Sequence, residues 1–116
     1  MHLNTALEKG EVWLADLPPG RGHEQLGTRP VVVVRDIATA GVALIFPITK
    51  TIGNTKFPFT FVVEPSKHNG LDFQSVALIC QLRVVDKIRF IHRLGKLEAS
   101  YLKMANDLLV EMVSFA

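Results

Sequence analysis

Short apolar runs closed off by Gly, Pro, Asn or Asp recur along most of the chain, and at four to eight residues each they read as strands. They fall at 11–17, 30–35, 42–48, 59–64 and 75–82, with a less regular one at 89–94. Val31, Val32, Val33 and Val34 are β-branched and uncharged, the composition of a strand covered on both faces. Pro30 fits at that strand's first residue, because it has no N–H to give to a ladder. The end of the chain changes period. Leu97, Tyr101, Ala105, Leu108, Leu109 and Met112 recur at three- and four-residue steps, which predicts one helix over about 98–113 packed by that stripe. No Ser, Thr, Asp or Asn stands where it would cap the helix start. Several short strands at this spacing followed by a single helix predict a mainly β (α+β) domain, a compact barrel or sandwich.

The 116 residues make one domain, with 1–7 a loose tail, and leave no room for a second. Hydrophobic residues are 48% and charged residues 21%, which excludes disorder and leaves apolar surface over for a partner, so an oligomer is expected. The net charge of +2 means that an anionic ligand must be held by a local cluster of cations. The lone Cys80 lies in an apolar run and is expected to be a small buried hydrophobe, which suits a reducing cytoplasm. No apolar run approaches the roughly 18 residues of a membrane span, and no leader-like start is present, so a cytoplasmic protein without membrane contact is expected.

Polar chemistry concentrates at three places. His23 and Glu24 lie in a stretch rich in Gly and Pro just ahead of Arg29, so a base, an acid and a permanent cation are tethered beside a core strand. The second place follows Pro47 and Ile48, where Thr49 and Lys50 offer a hydroxyl and an ammonium, a pairing suited to phosphate. Lys56 and Phe57 come soon after and add charge and stacking surface of a kind that single-stranded nucleic acid uses. At the third, 81–89, polar and apolar residues alternate, with Arg83 and Arg89 on a solvated face. Each has an ordinary reading too: Arg29 as a rim residue paired with Glu24, Thr49 as a turn hydroxyl, His23 as a surface histidine. Nothing in the sequence marks His68 or His92. The four histidines and one cysteine have no zinc-ligand spacing, there is no Gly-rich phosphate loop, and no serine sits in a nucleophile elbow. No metal and no cofactor is expected.

Taken in order, Gly10-Glu11-Val12-Trp13, Gly22-His23-Glu24-Gln25, Gly27-Thr28-Arg29-Pro30-Val31, Pro47-Ile48-Thr49, Ser75-Val76-Ala77-Leu78, Gln81 through Lys87 and Arg93-Leu94-Gly95 resemble the MazF/PemK toxin family over nearly the whole chain. The resemblance implies a small SH3-like β-barrel with a C-terminal α-helix, working as a homodimer. It also implies a metal-independent, sequence-specific endoribonuclease acting on single-stranded RNA. The implied partner is a cognate antitoxin that occupies the RNA groove and is the chain's only, indirect, link to DNA. Residue by residue, the family's catalytic arginine and threonine fall on Arg29 and Thr49, its His-Glu pair on His23 and Glu24, and an RNA-facing glutamine on Gln81. One branch carries an acid–base pair of arginine and aspartate just before that glutamine. Here Leu78 and Cys80 stand in those places, so the chain resembles the branch that relies on the arginine and threonine.

The chemistry so implied asks for little. RNA brings its own nucleophile, the 2′-hydroxyl, and the enzyme must align it, neutralise the crowded phosphorane and move two protons. Arg29 suits the second task by its planar fork. His23 or Glu24 would serve as acid or base. Lys50, Lys56, Phe57, Gln81, Arg83 and Arg89 would bind RNA. Two rivals use the same fold: a toxin that traps DNA gyrase without cutting, of which Ser114-Phe115-Ala116 is a faint echo, and an inactive paralogue that only binds an antitoxin.

Overall fold

The computed structural model describes residues 5–18, 27–50 and 57–115. They form seven strands and a helix: β1 Glu11–Leu17, β2 Gly27–Ile37, β3 Val42–Thr49, β4 Thr60–Val63, β5 Ser75–Leu78, β6 Arg83–Asp86, β7 Phe90–Lys96 and α1 Ala99–Val113. All ladders are antiparallel, in the order β4-β5-β3-β2-β1-β7, with β6 also on β3. β3 divides the sheet, because its first half pairs with β6 and its last two residues with β5. The strands curl into a barrel-like form that stays open: among the described residues no ladder joins β7 to β6 or β4.

Alternation along β2 supplies two cores. Val31 and Val33 point into a cluster with Trp13, Ala15, Ile45, Val85 and Phe90, while Val32 points into another with Val12, Phe46, Ile48, Phe61 and Leu97. The four-valine run therefore serves a strand covered on both faces, as its composition predicts. α1 closes the second cluster with Ala105 buried and Tyr101, Leu108, Leu109 and Met112 packed against it, the expected stripe. Its start has no side-chain cap, also as expected. The carboxylate of Glu98, at the cap position, instead accepts hydrogen bonds from Ser66 Oγ (2.9 Å) and Asn69 Nδ2 (3.1 Å).

Four expectations change. Pro30 is the fourth residue of β2, not its first; it lies just before the β2–β3 ladder begins at Val31, so its missing N–H faces an unladdered edge. The apolar run 75–82 is not one strand, because a 3-10 turn at Ile79–Gln81 separates β5 from β6. That turn breaks the in-out alternation and leaves Cys80 exposed rather than buried; the shielding its sulfur does receive still pushes the thiol pKa up. Leu7, assigned to the tail, is buried in the first cluster, and its amide donates to Asp36 Oδ2 at 2.9 Å.

Candidate active site

Arg29 lies opposite Ala15 of β1, near the end of β2, and Thr49 is the last residue of β3, 4% exposed and opposite Val76. Because β2 and β3 are neighbours, these ends open onto one cleft of about 640 Å³. Its apolar floor includes Leu14, Pro30, Ile48 and Leu71, and Arg29, Thr49, Lys50, Asp72 and His92 give it polar groups. The ammonium of Lys50 sits 4.1 Å above the ring of Phe73, which forms another side of the cleft. Two cations and an imidazole against one carboxylate favour an anionic ligand.

The wall formed by 70–73 is held from below by Asn69, which is fully buried. Its Oδ1 accepts from the Ser66 and Leu71 amides, and its Nδ2 donates to the Glu64 carbonyl and to Glu98. Gly70 follows with φ +73°, and any side-chain carbon there would run into the Leu94 carbonyl of β7. A buried amide and an obligatory glycine thus fix the loop against the sheet. Sequence reading missed both, since their partners lie up to 29 residues away.

His92 is the functional candidate that the sequence left unmarked. Leu14 pairs with Pro30 on one side and His92 on the other, so the three positions form one row across β2, β1 and β7 with their side chains on one face. β7 bulges on both sides of the Trp13–Arg93 and Leu14–His92 pairs, a device that re-aims side chains. Arg93 anchors this stretch through Glu11, Nε to Oε2 at 2.8 Å, while His92 stays exposed in the cleft. Only the register reveals that His92 shares a row with Pro30, because the two are far apart in sequence.

The remaining expected site residues divide into two groups. His23, Glu24 and Lys56 lie outside the described residues. Phe57, Gln81, Arg83 and Arg89 are described, and none lines the cleft. Phe57 is partly exposed ahead of β4, and its carbonyl accepts from Thr60 Oγ1 at 2.8 Å. Gln81 ends the 3-10 turn after β5, and Arg83 pairs with Ile45. Ile45 is four residues before Thr49, about 13 Å along the strand. Arg89 Nη1 lies 3.9 Å from Asp16 Oδ2.

Residues 8–113 match the family described as PemK-like, MazF-like toxin of type II toxin-antitoxin system. The chain is 36% identical over 104 residues to the endoribonuclease MazF of Staphylococcus saprophyticus, covering 87% of this chain and 86% of that one. Its fold is similar to MazF from Deinococcus radiodurans, with a TM-score of 0.76 at 23% identity over 95% of this chain and 98% of that one. It is also similar to an endoribonuclease solved with its cognate antitoxin from a mycobacterial species, with a TM-score of 0.71 at 18% identity over 96% and 98%. No helix among the described residues is long and apolar enough to cross a membrane.

Proposed function

The chain belongs to the PemK-like, MazF-like toxins of type II toxin-antitoxin systems, and from that premise we propose that it is an endoribonuclease that cuts single-stranded RNA in the cleft between Arg29 and Thr49. The observation that carries this reading is the convergence of Arg29, Thr49 and Lys50 on one cleft with an apolar floor. In the reaction the 2′-oxygen attacks phosphorus and the 5′-oxygen leaves, giving a 2′,3′-cyclic phosphate and a 5′-hydroxyl without a metal. The Arg29 guanidinium, planar and always charged, donates to two phosphoryl oxygens as negative charge builds there. The Thr49 hydroxyl donates to the same group from a position fixed by the β3–β5 ladder. Glu24 or His23 takes the 2′-proton. Lys50, Lys56 and Phe57 hold the neighbouring phosphates and a base, while Gln81, Arg83 and Arg89 contact RNA beyond the cleft. The relative solved with its cognate antitoxin supports an antitoxin as the protein partner here, competing with RNA for this surface. The chain acts as a homodimer.

The test is to incubate the purified chain with a long transcript in EDTA and sequence the new ends, with and without a folded RNA duplex. Cleavage at shared bases, in single-stranded regions only, with 5′-hydroxyl ends, is expected. An intact transcript, or cutting that needs added metal, would overturn the reading; random or duplex cutting would remove the claim of sequence-read single strands.

A further inference from the structure

We propose that Phe73 is the platform on which the cleft stacks a nucleobase of its RNA, and that Lys50, whose ammonium covers the ring in the free protein, passes to that nucleotide's phosphate when the base takes its place. The proposal rests on the endoribonuclease reading above and names what the apolar floor of the site receives. A single exposed phenylalanine is ordinary on a protein surface. Phe73 differs by its place. Three phenylalanines are largely exposed among the described residues, Phe57, Phe73 and Phe115, and of these Phe73 alone lines the cleft. Its side chain is open, with the residue 54% exposed, yet its backbone is pinned from both sides. Asn69 and Gly70 fix the loop ahead of it, and behind it the Ser75 hydroxyl donates to the Phe73 carbonyl at 2.8 Å. Gln74 Nε2 adds a bond to Glu64 Oε2 at 2.7 Å. A flat apolar ring is thus held open to a cleft that favours anions.

The cleft has two kinds of wall. Pro30 stands opposite Leu14, and Ile48 and Leu71 belong to the second core cluster, so the floor shared with Phe73 is apolar. Arg29 and Thr49 occupy the alternate positions of β2 and β3, next to Pro30 and Ile48, and line the same cleft from the strand ends. A nucleotide has the same division, a charged backbone and a flat base, and single-stranded RNA can splay its bases onto an aromatic ring. The Lys50 ammonium, 4.1 Å from the centre of the ring, shows that a face of Phe73 is open to a group from the cleft. Magnitudes decide which group holds that face once RNA is bound. A cation over an exposed ring is worth about 2–5-fold in an equilibrium, whereas a base stacked on an aromatic side chain is worth about 5–150-fold. The base therefore displaces the ammonium. Lysine is a point charge on a flexible stem, and Lys50 directly follows Thr49, so the released ammonium stays beside the residue that holds the phosphoryl group. The cation that covered the ring then adds to RNA affinity instead of opposing it.

A double-mutant cycle between ring and base separates stacking from folding. The probes are oligoribonucleotides carrying the chain's own mapped cleavage site, made uncleavable by a 2′-deoxy sugar at the cut, with an abasic residue at each position in turn and affinity read by fluorescence anisotropy. At one position the parent should lose about 5–150-fold when the base is removed. Phe73→Leu should weaken the complete probe by a similar factor, and removing the base at that position should then cost little more, because both changes delete one interaction. Phe73→Tyr should bind as the parent does. Thermal unfolding of Phe73→Leu should match the parent, since the side chain is exposed. Lys50→Met should keep the penalty for removing the base but lower the slope of log affinity against log salt by about 0.7, one phosphate contact on a single strand. Phe73→Leu binding within twofold of the parent would overturn the proposal, as would losses that simply add at every position. An unchanged salt slope for Lys50→Met would overturn the exchange of ring for phosphate. A parent chain that leaves the long transcript uncut overturns the endoribonuclease reading itself, whereas one that cuts it but shows no coupled position overturns the Phe73 assignment alone.

Discussion

Arg29 is held at the half-buried end of a strand, where it lines the cleft. If it stabilises the phosphorane, Arg29→Ala should slow cleavage by about a thousandfold, as loss of a principal charge-stabilising donor does. Arg29→Lys should recover little, because one ammonium cannot present two parallel donors. Single-turnover kinetics on a mapped oligoribonucleotide reads both; an Ala variant within a fewfold of the parent would sink the assignment. Thr49→Val, which keeps the shape of a buried strand end, should lower the same rate by a smaller factor with an unchanged melting temperature. The placement of Arg29 and Thr49 at the ends of their strands was legible in the sequence because each adjoins the apolar run that forms the strand. His92 was not, because its neighbourhood depends on a pairing register across two strands, which local pattern does not encode.

At the scale of elements, periodicity carried far. The two-sided burial of β2, the extent of β3 and the stripe on α1 were readable, since each depends on residues close in sequence. The break between β5 and β6 was not, as an apolar run looks alike whether it stays extended or turns. Buried polar groups were equally opaque. Asn69 closes the 66–71 loop with four hydrogen bonds, and Asn69→Ala should cost about 2–4 kcal/mol by leaving buried backbone groups unpaired. Denaturant unfolding measures that loss, and RNA affinity should fall with it because the cleft wall loosens; an unchanged midpoint would contradict the account. The second hidden device is the ion pair of Lys87 Nζ with Asp36 Oδ1 at 3.1 Å, with the lysine side chain 3% exposed. Burial alone would raise the Asp36 pKa, but the Leu7 amide and the Lys87 ammonium outweigh it and hold the carboxyl below its ordinary value. A depressed folded-state value means stability that is present above the unfolded value, about pH 3.9, and lost as pH falls through the folded one. Asp36→Asn should therefore destabilise the protein by about 3 kcal/mol or more at neutral pH, where Lys87 is left buried without its counter-charge. Its stability should then fall less steeply than the parent's below pH 4. Unfolding curves at pH 7 and pH 3 test both signs.

Among the described residues, apolar side chains stand uncovered on two parts of the fold away from the cleft, and they bear on assembly. Val84, Ile88 and Ile91 are exposed on β6, the following turn and β7; on α1, Val110 and Val113, three residues apart and so neighbours on the helix surface, are exposed away from the core stripe. A chain of 116 residues that keeps both in water carries more exposed apolar surface than its solubility favours, and pairing two copies removes it symmetrically. A stable dimer buries about 800 Å² on each partner, so either group of side chains would be the apolar centre of a wider interface. The expected result is a dimer by sedimentation at micromolar concentration; a stable monomer there would count against both surfaces as interfaces. Two double variants, Val84→Lys with Ile88→Lys and Val110→Lys with Val113→Lys, then locate it, because a charge buried at a two-fold interface is introduced twice and faces its own copy. The pair that yields folded monomer marks the interface, and the other should remain dimeric. Its effect on cleavage decides a further point. β6 and β7 border the sheet that carries Arg83 and His92, so an interface there would set two clefts into one continuous RNA path, and the monomer should lose affinity for long RNA more than for a short oligoribonucleotide. An interface on α1 would leave each cleft separate, and the monomer should cut both lengths as the parent does.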